Sequence, residues 1–169
     1  GTGVDTITFV TTNTTTTTVV GGTGADVITM TASGNNALSI NDATVSVTGG
    51  GGVDTITFVT TVATAVTVAG GVGADVIALV AGTNAGVVIN DTDGFTLTGG
   101  TVNTVDFSGG ALTATSITGG SGIDTYTFGT GSNVATVTGA GGVDVIDAGA
   151  SHTGGLTFVT GTAAADADE

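Results

Sequence analysis

Residues 3–12 read GVDTITFVTT, and residues 52–61 read GVDTITFVTT again without a change. A second pair follows at the same shift: GGTGADVI at 21–28 returns as GGVGADVI at 70–77, and Ile40-Asn41-Asp42 falls over Ile89-Asn90-Asp91. GGSGIDTYTF at 119–128 opens a third, less faithful copy, with Asp124 over Asp75. A chain built from copies of one unit is a repeat architecture, in which each unit buries its apolar face only against its neighbours.

Within each copy an Asp closes a glycine-rich turn and opens an alternating segment: Asp5, Asp26, Asp54, Asp75, Asp106, Asp124 and Asp144. The second and fourth residues after the Asp are apolar in most cases: Ile7 and Phe9, Ile28 and Met30, Ile56 and Phe58, Ile77 and Leu79, Tyr126 and Phe128. Period-two alternation puts these on one face of a strand and Thr6, Thr8, Thr55, Thr57, Thr125 and Thr127 on the other. After Asp106 the matching pair is Ser108 and Gly110, so that coil is expected to be distorted. The fold expected is all-β, a parallel β-solenoid of about seven coils. The uneven spacing of the Asp marks suggests short coils of about 20 residues and long ones of about 28. Residues 1–162 form one domain in this reading, with repeats over about 3–51, 52–100 and a degenerate 101–162. Residues 163–169 form an acidic tail.

Composition agrees and excludes much else. Gly and Thr supply 71 of the 169 residues and Leu only five, which leaves few good helix formers. There is no Lys, Arg, Cys, Pro or Trp, and the formal net charge is −14. With His152 the one side chain able to carry a positive charge, too little is present to neutralise phosphates, and neither nucleic acid nor anionic lipid is expected as a partner. No apolar run is long enough for a membrane-spanning helix. No cysteine means no disulfide and no thiolate chemistry. His152 beside Ser151 lacks the geometry of an activated nucleophile, and no enzyme is expected. Asn13-Thr14-Thr15 and Asn90-Asp91-Thr92 match the N-glycosylation pattern, which a Thr-rich chain produces by chance.

The turns carry the chemistry. GGTGADVIT (21–29), GGGGVDTIT (49–57), GGVGADVIA (70–78) and GGSGIDTYT (119–127) fit the pattern G-G-x-G-x-D-x-U-x, where U is large and apolar; residues 1–8 and 139–147 are near matches. Stacked aspartates about 5 Å apart would repel by about 3 kcal/mol at an effective dielectric of 20, and no Lys or Arg is present to relieve them. A hard cation with oxygen ligands would. The candidate metal ligands are therefore Asp26, Asp54, Asp75 and Asp124, then Asp5 and Asp144, with turn carbonyls near Gly22, Gly24, Gly50, Gly52, Gly71, Gly73, Gly120 and Gly122. Asp42, Asp91 and Asp93 form a second, weaker oxygen-rich set. An alternative reading makes each motif a plain solenoid turn whose Asp caps free backbone amides in Asx fashion and stays solvated.

On these motifs the chain resembles the repeats-in-toxin family of calcium-binding secreted proteins, and in its Thr, Ala and Gly-rich style that family's surface-layer and cell-surface members. The resemblance implies a calcium-loaded β-solenoid, secreted through a dedicated channel. The chain departs from the family's tandem nonapeptides in that a longer unrelated half-coil follows each full motif, so the ions are expected along one edge of the rod rather than two. The expected function is an extracellular structural protein that self-assembles into a surface layer or filament, its partners being copies of itself and cell-surface polysaccharide. The runner-up is a calcium-folded segment of a larger secreted toxin, adhesin or hydrolase. A third reading takes the outward Thr pairs as an ice-binding array.

Overall fold

In the computed structural model, residues 1–62, 66–80, 82–91, 93–107, 111–149 and 153–159 are described. The strands in chain order are β1 (Thr6–Phe9), β2 (Thr17–Val19), β3 (Asp26–Met30), β4 (Ala37–Ile40), β5 (Val45–Thr48) and β6 (Thr55–Phe58). Next come β7 (Val66–Ala69), β8 (Asp75–Ala78), β9 (Thr83–Ile89), β10 (Phe95–Thr98) and β11 (Val102–Phe107). The last are β12 (Thr115–Thr118), β13 (Thr125–Phe128), β14 (Ala135–Thr138), β15 (Val145–Asp147) and β16 (Leu156–Val159). Odd-numbered strands form one eight-stranded parallel sheet, here sheet I, and even-numbered strands form the other, sheet II. The chain alternates between them, so the molecule is an all-β solenoid with two strands per turn and seven full turns from β1 to β15. No helix occurs among the described residues.

Alternation along each strand builds the core. In sheet II the inward column runs Leu38, Ile56, Ile77, Leu97, Ile117, Val137, Phe158, each in register with the next. In sheet I, Ile7, Ile28, Val47, Val68 and Ile89 do the same. Phe107 stacks on Phe128 at 5.2 Å and on Tyr126 at 6.3 Å, with Phe95 5.7 Å away, filling the middle of the later turns. Parallel rungs lie about 4.8 Å apart, so seven turns make a rod about 34 Å long.

One turn takes about 20 residues, the size of a short solenoid repeat. Ile7 is in register with Ile28, Ile28 with Val47, Leu38 with Ile56 and Ile56 with Ile77. The longer coils expected from the sequence are absent among the described residues: the wide intervals from Asp26 to Asp54 and from Asp75 to Asp106 each span about one and a half turns. The long repeat is likewise about two and a half turns. The identical TITF segments consequently become β1 in sheet I and β6 in sheet II, on opposite walls of the rod.

Asp106 does not mark a corner. It lies within β11, in register with Val88 and Thr127, and the register with β9 shifts between Asn103 and Val105. The buried corner residue of that coil is Asn103, which follows the Gly99-Gly100 turn. Ser108, Gly110, Ser151, His152 and the tail 163–169 lie outside the described residues.

Candidate functional site

Each turn has two corners, one leading into sheet I and one into sheet II. The six motif aspartates divide between them: Asp5, Asp26, Asp124 and Asp144 precede or open sheet I strands, whereas Asp54 and Asp75 do so for sheet II. A single edge of acidic residues is thus replaced by two. The reason is the extra half turn in the long repeat, which sends successive copies to alternate corners.

Their side chains point inward. Asp26, Asp54, Asp75, Asp124 and Asp144 are all buried, at 0–1% exposure. Only Asp5, on the first rung, is half exposed. Each of three corner carboxylates accepts a hydrogen bond from the backbone of the preceding corner acid. Asp5 N–H donates to Asp26 Oδ1 (2.8 Å), Asp54 N–H to Asp75 Oδ1 (2.7 Å) and Asp124 N–H to Asp144 Oδ1 (2.8 Å). These are amide-capping bonds, but they run between coils and inside the rod, where the alternative reading of the turns had placed them in water.

Asparagines complete the ladders. At the sheet II corner, Asn13 N–H donates to Asn36 Oδ1 (2.9 Å), and both N–H and Nδ2 of Asn36 donate to Asp54 Oδ1 (2.8 Å each). At the sheet I corner, Asn84 Nδ2 reaches Asn103 Oδ1 (3.3 Å), and Asn103 donates to Asp124 Oδ1 through N (2.7 Å) and Nδ2 (2.8 Å). Asn133 Oδ1 accepts Leu112 N–H (2.9 Å) just as Asn84 Oδ1, one repeat earlier, accepts Val62 N–H (3.1 Å). Sequence reading missed these asparagines. The available signal was spacing: Asn36 precedes Asp54, and Asn103 precedes Asp124, by one turn of chain.

The remaining carboxylate oxygens separate the candidates into two kinds. Asp54 Oδ2 accepts Gly50 N–H (3.0 Å) and Asp124 Oδ2 accepts Gly120 N–H (2.8 Å), so all four oxygens of these two residues are engaged by the protein. The carbonyls of Gly50 and Gly120 accept Val72 N–H and Gly141 N–H from the next coil. The turn glycines have a steric role: Gly71 has φ +105°, and a Cβ there would collide with the Gly50 carbonyl. The arrangement implied by the resemblance, with turn carbonyls and Asp carboxylate facing a shared calcium, does not fit Asp54 or Asp124.

Asp26 and Asp75 differ. Asp42, 4% exposed, follows β4, anchors Oδ1 on Thr44 N–H (2.9 Å) and faces Asp26. Asp91, 2% exposed, anchors Oδ1 on Asp93 N–H (3.0 Å) and faces Asp75. A Cβ on Gly21 would run into Oδ2 of both Asp26 and Asp42, and one on Gly70 into Oδ2 of both Asp75 and Asp91. Two strong candidates are thus joined to two weaker ones, a pairing that spacing did not suggest. Asp93 contributes its backbone N–H to this arrangement.

Electrostatics follows the geometry. Burial, then the neighbouring Asp91, raises the Asp75 carboxyl to about 7. Burial likewise raises Asp42, while the Asp5 N–H, then Asp42, holds Asp26 below its usual value. In the first pair Asp42 is therefore the more basic of the two carboxylates. Burial also raises Asp124, and raises the Tyr126 hydroxyl, which lies near the Asp124 and Asp144 carboxylates. Comparison of the chain with protein-family models, with curated proteins and with solved structures finds no match.

Proposed function

We propose that this chain is a structural protein of the cell exterior, a stiff β-solenoid extended by further coils added to its terminal rungs. Its role is mechanical rather than catalytic. The observation that carries this reading is the exposure of the core columns on the terminal described strands. The sheet II column ends at Phe158, 45% exposed on the last described strand, with Val159 equally exposed beside it. At the opposite end Ile7 and Phe9 are only partly buried. Edge strands with matching apolar columns are templates for parallel pairing. Copies of the chain satisfy that template in a filament or surface layer; coils of the same longer polypeptide satisfy it in the runner-up reading, a segment of a larger secreted protein. Calcium enters this proposal through the acid pairs.

Electron microscopy and sedimentation of the chain at high concentration, with calcium and with chelator, test the assembly. Rods longer than one chain are expected, and Phe158→Lys should abolish them. Particles that stay monomeric with calcium present would end the filament reading.

A second reading is favoured by one face. The outward positions of sheet II carry Thr96/Thr98, Ser116/Thr118 and Thr136/Thr138 on three successive rungs in register, with Thr55/Thr57 further along. Hydroxyls thus repeat about every 4.8 Å along the rod and about 6.7 Å across it. No charged side chain occupies the described part of this face, whereas Asp106 and Asp147 lie on the outward face of sheet I. Such a flat array suits ordered water at an ice surface. Thermal hysteresis in a freezing assay is its test, and its absence removes this reading.

A further inference from the structure

We propose that Asp26 with Asp42, and Asp75 with Asp91, form two binding sites for a hard divalent cation inside opposite corners of the rod. The proposal deepens the calcium part of the structural reading, on which it rests, and is independent of whether the rods assemble.

Three features point to an occupant. Each acid is anchored through Oδ1 on a backbone N–H, which leaves Oδ2 to be aimed at its partner. Oδ2 of Asp26, Asp42 and Asp75 is buried with no hydrogen-bond partner, in residues 1–4% exposed. The glycine beside each pair, Gly21 or Gly70, has no Cβ to intrude on the two oxygens. A buried carboxylate oxygen left without a donor is costly, and this chain has no Lys or Arg to offer; the Gly1 ammonium adds a favourable charge at Asp26.

The repeats supply an internal control. In the third copy, position 140 holds Ala where Asp42 and Asp91 stand in the first two. There Asp124 turns Oδ2 to Gly120 N–H instead. Asp54 and Asp124, with a donor to each oxygen, are closed, whereas Asp26 and Asp75, which face a second acid, remain open. The deciding residues, Asp42 and Asp91, lie outside the glycine motif. Two carboxylate oxygens with backbone carbonyl or water completing the shell suit calcium or magnesium, which take oxygen ligands. The cation occupies the place that a shared proton holds in its absence.

The test is calorimetric titration of the metal-free chain with calcium chloride and with magnesium chloride, with thermal unfolding followed by circular dichroism. Two ions per chain and a rise of several degrees in the unfolding midpoint are expected. Asp42→Asn or Asp91→Asn should each reduce the count to one, and the double variant to none. Asn preserves the shape and can donate to the facing acid, as Asn36 does to Asp54, so these variants keep the fold in chelator. Asp124→Asn should leave two ions bound. No heat and no midpoint shift at millimolar cation would overturn the proposal, as would binding that survives the double variant; a shared proton would then account for the pairs. Sedimentation of the same samples separates this outcome from assembly: monomers that bind two ions support the sites and end the filament reading.

Discussion

Asp54 accepts three backbone or side-chain N–H groups from inside the rod, two from Asn36 and one from Gly50. Asp54→Ala would leave these donors buried and unsatisfied, at a cost of about 3 kcal/mol or more. Asp54→Asn keeps one acceptor oxygen and should cost about 1–2 kcal/mol; urea unfolding of both variants measures the difference. Asp75 makes an opposite prediction for pH. Its carboxyl is raised to about 7 when folded, above the ordinary value of 3.8, so the folded state binds the extra proton between those limits. That contribution is complete below about pH 4 and is lost as pH rises through 7. In chelator the unfolding midpoint should fall between about pH 5 and pH 8, by an amount on the order of a few kcal/mol in stability. Asp26, whose carboxyl is held low, acts in the other direction: its contribution is present above the ordinary value of 3.8 and is lost as pH falls below it. A midpoint that rises across the same interval would show that the acid pair holds no proton.

At the scale of the element, the turn glycines and the strands have separate tasks. Alternation in TITF, VSVT or FTLT buries every second residue whichever sheet the segment joins, which is why one sequence serves as both β1 and β6. The turns instead set the spacing between coils. Gly71 and Gly73 have φ of +105° and +132°, and a Cβ at either would meet a carbonyl of the coil below, Gly50 or Gly52. Gly71→Ala should therefore cost more than the roughly 1 kcal/mol expected of a left-handed alanine alone, because the neighbouring coil must also shift. Thermal unfolding reads this directly, and a loss below about 1 kcal/mol would mean that the turn relaxes freely. Strand existence was legible from period-two alternation: in Ala37–Ile40, Phe95–Thr98 and Thr115–Thr118 every second residue is buried. Asp106 misled because an outward strand residue and a corner residue look alike when only the flanking Thr and Val are read.

For the whole molecule, the sequence alone determined the class of fold. Repetition, absence of helix formers and alternating apolar residues leave a parallel solenoid as the arrangement in which such units bury one another. It also marked Asp26, Asp54, Asp75 and Asp124 as acids in glycine turns, without separating Asp26 and Asp75 from the other two. Only the tertiary structure decided how much chain makes a turn, and the consequences follow from that one quantity. Because the long repeat is about two and a half turns, it alternates corners, and equivalent acids lie on opposite sides of the rod. The same turn length brings Asn36 onto Asp54, Asn103 onto Asp124 and Asp42 onto Asp26, contacts between residues that are far apart in the chain. Local pattern records which face a side chain takes. Which residue meets it one turn later depends on the summed length of two strands and two corners, and no local pattern contains that sum.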